Sequence, residues 1–236
     1  HKKYADAHGY TYISCCWQGN KSNPYFNKIA YIQHYVDLFD YIFWIDDDAF
    51  FMNHEKDIFE FTNYSGKFLT ICESPKYKKV WTYISSGQFL LRCDREGKKF
   101  LDRIECTDMR EVRSFWDETI YGYYTNGDQD VMVYVLQKFF PGRYSIISYE
   151  VFNSRIDDLK NNRKVNLLHL TGKKNVKKEG LFQAMKLLNL DESLTEKPIK
   201  KSILRKRKKL NIEQRNSLIS MTNGKSKLYY SAERNF

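Results

Sequence analysis

Tyr41-Ile42-Phe43-Trp44-Ile45-Asp46-Asp47-Asp48-Ala49-Phe50-Phe51 is the stretch whose reading decides the fold. An unbroken apolar run of this length is short for a helix and suits a strand covered on both faces, as in a parallel sheet. The run stops at three consecutive carboxylates, Asp46, Asp47 and Asp48. Ligands of α/β sheets gather beyond the carboxyl ends of the strands, so an acidic triplet at such an end marks a candidate site. Carboxylates two residues apart in extended backbone point to the same side. Asp46 and Asp48 are therefore placed to grip one hard divalent cation, which prefers oxygen ligands. The bland alternative is a polar loop that caps the strand and accepts backbone hydrogen bonds.

Working outward, residues 1–8 read as the end of a helix with Gly9 as its stop. Residues 10–17 read as a strand rich in Tyr, Thr and Ile, and residues 18–24 as a polar loop. Ile29, Ile32, Tyr35, Val36 and Phe39 recur at helical spacing, which predicts a helix over residues 25–38. Downstream, strands are expected at 68–72 and 88–92, with helices near 55–61 and 98–104. A further apolar-periodic helix is expected over 128–139, followed by short strands at 145–148 and 165–170. Strands alternating with helices predict an α/β domain over residues 1–190. Residues 191–236 read as a basic carboxyl-terminal extension, with KPIKKSILRKRKK at 197–209 and Leu228-Tyr229-Tyr230 near its close.

Two further motifs lie near element boundaries. Asn126-Gly127-Asp128-Gln129-Asp130 opens the helix at 128. A helix cap with acidic first-turn residues accounts for one Asp there, but does not require Gln between two. His169-Leu170-Thr171-Gly172-Lys173-Lys174 follows a strand. Its Gly and two Lys suit a loop that approaches phosphate, with His169 as a further metal ligand.

The whole chain narrows the classes. Its 236 residues suit one substantial domain, and 18 Tyr and 16 Phe against 4 Pro argue against disorder over most of the length. The formal net charge of +10 predicts attraction to polyanions without choosing among them. The 5 cysteines match no zinc spacing, and Cys15-Cys16 lacks the gap of a redox pair, so buried free thiols are expected. That favours a reducing compartment, although Asn20-Lys21-Ser22 and Asn63-Tyr64-Ser65 are glycosylation sequons. No apolar stretch is long enough to span a bilayer and no signal peptide is visible.

Tyr4-Ala5, His8-Gly9-Tyr10, Lys28, the Trp44–Asn53 stretch WIDDDAFFMN, Ser86-Gly87 and Leu91-Arg92 fall in an order that resembles the galactosyltransferase family of yeast mannan enzymes and plant xyloglucan xylosyltransferases. The Asp128-Gln129-Asp130 and His169-x-x-Gly172 elements are similar to the related glycogenin and lipooligosaccharide galactosyltransferase family. The resemblance spans about residues 4–174. It implies a retaining glycosyltransferase of the GT-A fold, a Rossmann-like mixed sheet flanked by helices, dependent on Mn²⁺ or Mg²⁺ and using a UDP-sugar. Carried over by position, Asp46, Asp48 and His169 hold the metal. Lys28, Asp46, Asp47, Ser86, Gly87, Gly172, Lys173 and Lys174 contact the nucleotide-sugar. Asp128 binds the sugar hydroxyls, Gln129 lies near the anomeric carbon, and Asp130 is a nucleophile or an acceptor contact.

The resemblance also implies a first nucleotide-binding strand ahead of His1, which the sequence does not show, and truncation is the expected reason. A glycan or glycolipid acceptor is expected, as in bacterial surface polysaccharide or lipooligosaccharide synthesis. The basic extension is expected to meet an anionic membrane, placing the enzyme in the cytoplasm, peripheral to the inner face. The rival classes are a nucleic-acid-binding protein, for which no recognised motif is visible, and an inactive relative serving as a binding module.

Overall fold

The structure is a computed structural model that describes residues 1–15, 23–62, 64–76, 81–161, 163–188 and 227–232. The loop expected at 18–24 lies mostly outside the described residues, and the basic run at 197–209 entirely so.

The chain opens with helix α1 (Lys2–Ala7), turns at Gly9, whose φ of +68° suits a residue without a side chain, and enters strand β1 (Thr11–Cys15). Helix α2 (Asn27–Tyr35) leads to β2 (Tyr41–Asp46), the central strand. Its apolar run alternates as a strand must. Ile42 and Trp44 enter a core beneath α2, while Phe43 and Ile45 enter a second core on the opposite face, and all four are 0–1% exposed. Full burial of such side chains contributes about 1.5–3 kcal/mol each.

After a turn at Asp47-Asp48 come β3 (Ala49–Phe51), the short helix α3 (Ile58–Phe61), β4 (Leu69–Cys72) and β5 (Ser85–Arg92). Helix α4 (Arg95–Cys106) is capped by Asp94, whose side chain accepts from the Glu96 and Gly97 N–H groups. It buries Phe100, Leu101 and Ile104 against the sheet, and α5 (Met109–Phe115) and α6 (Glu118–Tyr121) follow. Helix α7 (Asp128–Phe139) matches the expected bounds, and Val131–Leu136 are buried in the first core. The remainder is β6 (Tyr144–Ile147), α8 (Tyr149–Phe152), α9 (Ile156–Lys160), β7 (Leu167–His169), α10 (Lys174–Leu187) and β8 (Lys227–Ala232).

The strands form a mixed sheet in the order β1-β8-β2-β5-β4-β6, and β3 pairs with β7 in a separate antiparallel ribbon. Strand β5 runs antiparallel to both β2 and β4, whereas β8 runs parallel to both β1 and β2. The mixed α/β architecture is the one expected. The sheet differs at one point, because β8 occupies the slot between β1 and β2. Of the cysteines, Cys15, Cys72 and Cys93 are buried free thiols as expected, and Cys106 is free but exposed. Burial raises the Cys93 thiol to about 12, so it stays protonated. Among the described residues no helix is long and apolar enough to cross a membrane.

Candidate active site

The acidic triplet sits where the sheet hands the chain to the β3–β7 ribbon. Asp46 ends β2, and Asp47-Asp48 form a turn rather than the extended backbone expected. The turn redirects the chain so that Ala49 pairs with His169, and the Leu170 N–H donates to the Asp48 carbonyl at 2.9 Å. The ribbon thus brings His169 to the two carboxylates across a long sequence separation. One ligand atom each from Asp46, Asp48 and His169 lies within 4.8 Å of the others.

These side chains are held by neighbours. The Trp44 indole N–H donates to Asp46 Oδ1 at 2.7 Å, and Trp44 is itself fully buried. Asn153 Oδ1 lies 2.8 Å from His169 Nδ1 and accepts from Arg155 Nη1 at 2.5 Å. The arginine fixes which end of the amide faces the imidazole, so Nδ1 carries the proton and Nε2 presents its lone pair. That lone pair faces Asp48 Oδ1 at 3.3 Å. Two electron-rich atoms facing one another fit a cation between them. Burial pulls the His169 imidazole below its ordinary value; Asp48 opposes this and Arg155 adds to it. The neutral form, the one that ligates a metal, therefore prevails at neutral pH. Burial acts to raise the Asp48 carboxyl, but the Lys177 ammonium paired with it opposes this and draws it below the usual carboxylate range.

Gly87 makes this approach possible. A Cβ there would lie 2.8 Å from His169 Cε1 and 3.3 Å from Asp46 Oδ2. Lys28, only 4% exposed, comes up from α2 to pair with Asp128 at 3.0 Å and Asp46 at 3.4 Å, and donates to the Ser86 carbonyl at 2.8 Å. Gln129 Oε1 accepts from the Ser86 N–H at 3.3 Å. Three carboxylates, Asp46, Asp48 and Asp128, gather here with the ammonium groups of Lys28 and Lys177, and the Arg155 guanidinium lines the same cleft.

A cleft of 480 Å³ opens over these groups. Of the residues expected in the site, Lys28, Asp46, Ser86, Gly87, Asp128, Gln129, His169 and Gly172 line it. Asp48 sits beside His169 with 14% of its side chain exposed. Asp47, Asp130, Lys173 and Lys174 do not line the cleft. Asp130 instead accepts from the Gly127 N–H at 3.2 Å and from Thr125 Oγ1 at 2.9 Å, closing a capping box that orients the start of α7. One carboxylate oxygen of Asp130 is thus engaged at the helix start. Lys173 and Lys174 are exposed at the start of α10, because the turn at Gly172, with φ of +108°, points them outward. The lysine that reaches the site is Lys177, whose ammonium pairs with Asp48. Lys177 was legible as the residue one helical turn beyond Lys173; Asn153 and Arg155 carried no sequence signal.

The fold and this site define a mixed α/β protein with a candidate metal centre at the carboxyl rim of its sheet. A glycosyltransferase involved in the glycosylation of the major capsid of PBCV-1 has the same architecture, with a TM-score of 0.58 and 14% identity over 78% of this chain and 88% of that one. The glycosyltransferase GlyE of Streptococcus pneumoniae TIGR4 is also found, at a TM-score of 0.38 and 14% identity, covering 70% of this chain and 46% of that one. No family model and no curated protein matches the sequence. The fold is thus one that a solved glycosyltransferase shares.

Proposed function

We propose that the chain is a metal-dependent glycosyltransferase that takes a hexose, galactose or glucose, from a UDP-sugar with retention of configuration. The observation that carries the reading is the Asp46–Asp48–His169 cluster, with the His169 Nε2 lone pair turned toward Asp48. Mn²⁺ or Mg²⁺ held there would offset the charge that grows on the leaving diphosphate. Lys28 and Lys177, which approach from α2 and α10, supply further positive charge to the same phosphates. Asp128, paired to Lys28 and facing the cleft, is placed to accept hydrogen bonds from donor-sugar hydroxyls. Gln129, held by the Ser86 N–H, is fixed beside it, near the reacting carbon. Asp130 is engaged in its cap and Asp128 is paired to Lys28, so neither α7 carboxylate is assigned the role of nucleophile. This favours attack from the face of the leaving group, whose phosphate helps deprotonate the acceptor. The acceptor in this reading is a glycan or glycolipid of a bacterial surface, with the basic run at 197–209 resting on an anionic membrane.

The test is incubation with Mn²⁺ and a panel of UDP- and GDP-sugars, measuring nucleotide release with and without EDTA. Release from a UDP-hexose that EDTA stops is expected. Asp48→Ala should abolish Mn²⁺-dependent UDP binding, and unchanged binding would refute the metal site.

A further inference from the structure

We infer that the groove between α4 and the end of α7 is a docking site for an extended acidic peptide segment of a partner protein. This surface is independent of the transferase reading, because it lies at the far end of the elements that build the cleft.

Helix α7 begins in the cleft at Asp128 and ends at Phe139, and β5 runs from Ser86 in the cleft to Arg92 at the start of α4. At the rise of an α-helix, Phe139 stands about 16 Å from Asp128. There α4 and the segment from Phe139 to Arg143 wall a groove of 830 Å³.

Arg95, Lys99 and Arg103 line this groove at four-residue intervals along α4. That interval sets side chains on one face of a helix, with a rise of about 6 Å between them. All three are exposed, and among the described residues no carboxylate pairs with them. The cations around them are engaged: Arg92 pairs with Asp94 at 2.6 Å, Lys98 with Asp37 at 2.5 Å and Arg143 with Glu96 at 2.8 Å. Of the two carboxylates in the lining, Glu96 is thereby taken, which leaves Asp102 against three open cations. The Phe139 ring, 39% exposed, lies 4.7 Å beneath the Arg103 guanidinium.

The spacing selects the occupant. Alternate side chains of an extended peptide leave the same face about 6.6 Å apart. Carboxylates at every second position therefore meet Arg95, Lys99 and Arg103 in turn. A hydroxyl or backbone N–H of the same peptide can donate to Asp102, whereas the backbone of a nucleic acid offers its phosphates only as acceptors there. A bilayer surface is flat, while this groove is walled on two sides, and Arg103 covers a face of the ring that a membrane would need free. Single exposed ion pairs are weak, so binding depends on three of them in register with the ring.

The full chain is titrated by fluorescence anisotropy with two labelled peptides of equal composition, built from Glu, Ser and Tyr. One carries Glu at every second position, the other at every third. The first should bind about fivefold tighter or better, because only its carboxylates match the helix repeat. Replacing Arg95, Lys99 and Arg103 together by Gln should weaken it about tenfold or more and remove the preference. Anionic phosphatidylglycerol vesicles and oligothymidylate are titrated in parallel, since the basic run at 197–209 attracts any polyanion. Absence of peptide binding, equal binding of the two peptides, or a loss under about twofold in the triple variant overturns the inference. A larger loss for vesicles or oligothymidylate than for the peptide in that variant also overturns it, in favour of a membrane or a nucleic acid. The comparison of the two peptides needs no variant, so it decides even where the substitutions disturb folding.

Discussion

Two clusters of charge in this molecule use the same residue types to opposite ends. At the carboxyl rim, Lys28, Asp46 and Asp128 have side chains 4%, 16% and 5% exposed. At the start of α4, Arg92, Asp94, Glu96 and Arg143 form ion pairs with side chains between 26% and 61% exposed. Buried ions depend on one another, because removing one leaves an uncompensated charge away from water. Exposed ions fall back on solvent. The first cluster is a set of interdependent buried charges; the second is a helix end and a surface.

The contrast is sharpest at Lys28. Lys28→Met should lower the unfolding free energy by about 3–5 kcal/mol, read from urea unfolding, because Asp46 and Asp128 lose their shared partner. A loss below about 1 kcal/mol would place Lys28 with the surface pairs and break the comparison. Gly87→Ala comes next. Its new Cβ forces His169 and Asp46 apart, so it should cost about 1–3 kcal/mol in thermal or urea unfolding. It should also weaken Mn²⁺ binding by about 10–100-fold, as expected when a ligand is held off its position.

Asp94→Ala should cost about 1 kcal/mol, the usual value of a helix cap, with no change in Mn²⁺ affinity. Burial acts to raise the Asp94 carboxyl, but the Gly97 N–H and Arg92 outweigh it and hold it below the usual range. A lowered folded-state value means that its stabilisation is full above the unfolded pKa of about 4 and is lost as pH falls through the folded one. The gap between Asp94→Ala and the unmodified chain should therefore narrow only in acid. Smallest of all, Arg143→Ala removes an exposed partner of Glu96 and should change stability by less than about 0.5 kcal/mol in urea unfolding.

The parts of this structure legible in the sequence are those whose signal is local. β2 and α7 announce themselves by period, since each buries side chains at the spacing its backbone imposes. The grouping of Asp46, Asp48 and His169 was legible because motif order pointed to it. β3 was hidden because it is three residues long and exists only through β7, more than a hundred residues away. β8 was visible as an apolar close to the tail, but its place between β1 and β2 depends on register with both. The capping contacts of Asp130 to Gly127 and Thr125 were not legible, because a capping carboxylate and a catalytic one look alike at a helix start. Arg155 and Asn153 act by holding another side chain, and no spacing records such a role.

Trp44 gives the centre its own optical reporter. Its indole N–H is bonded to a proposed metal ligand, and the Lys28 ammonium lies 5.7 Å from its ring centroid. Any ion that draws Asp46 or displaces Lys28 changes the field across a chromophore shielded from water. Occupancy of the rim is thereby written into the ultraviolet emission of the protein, readable without a label.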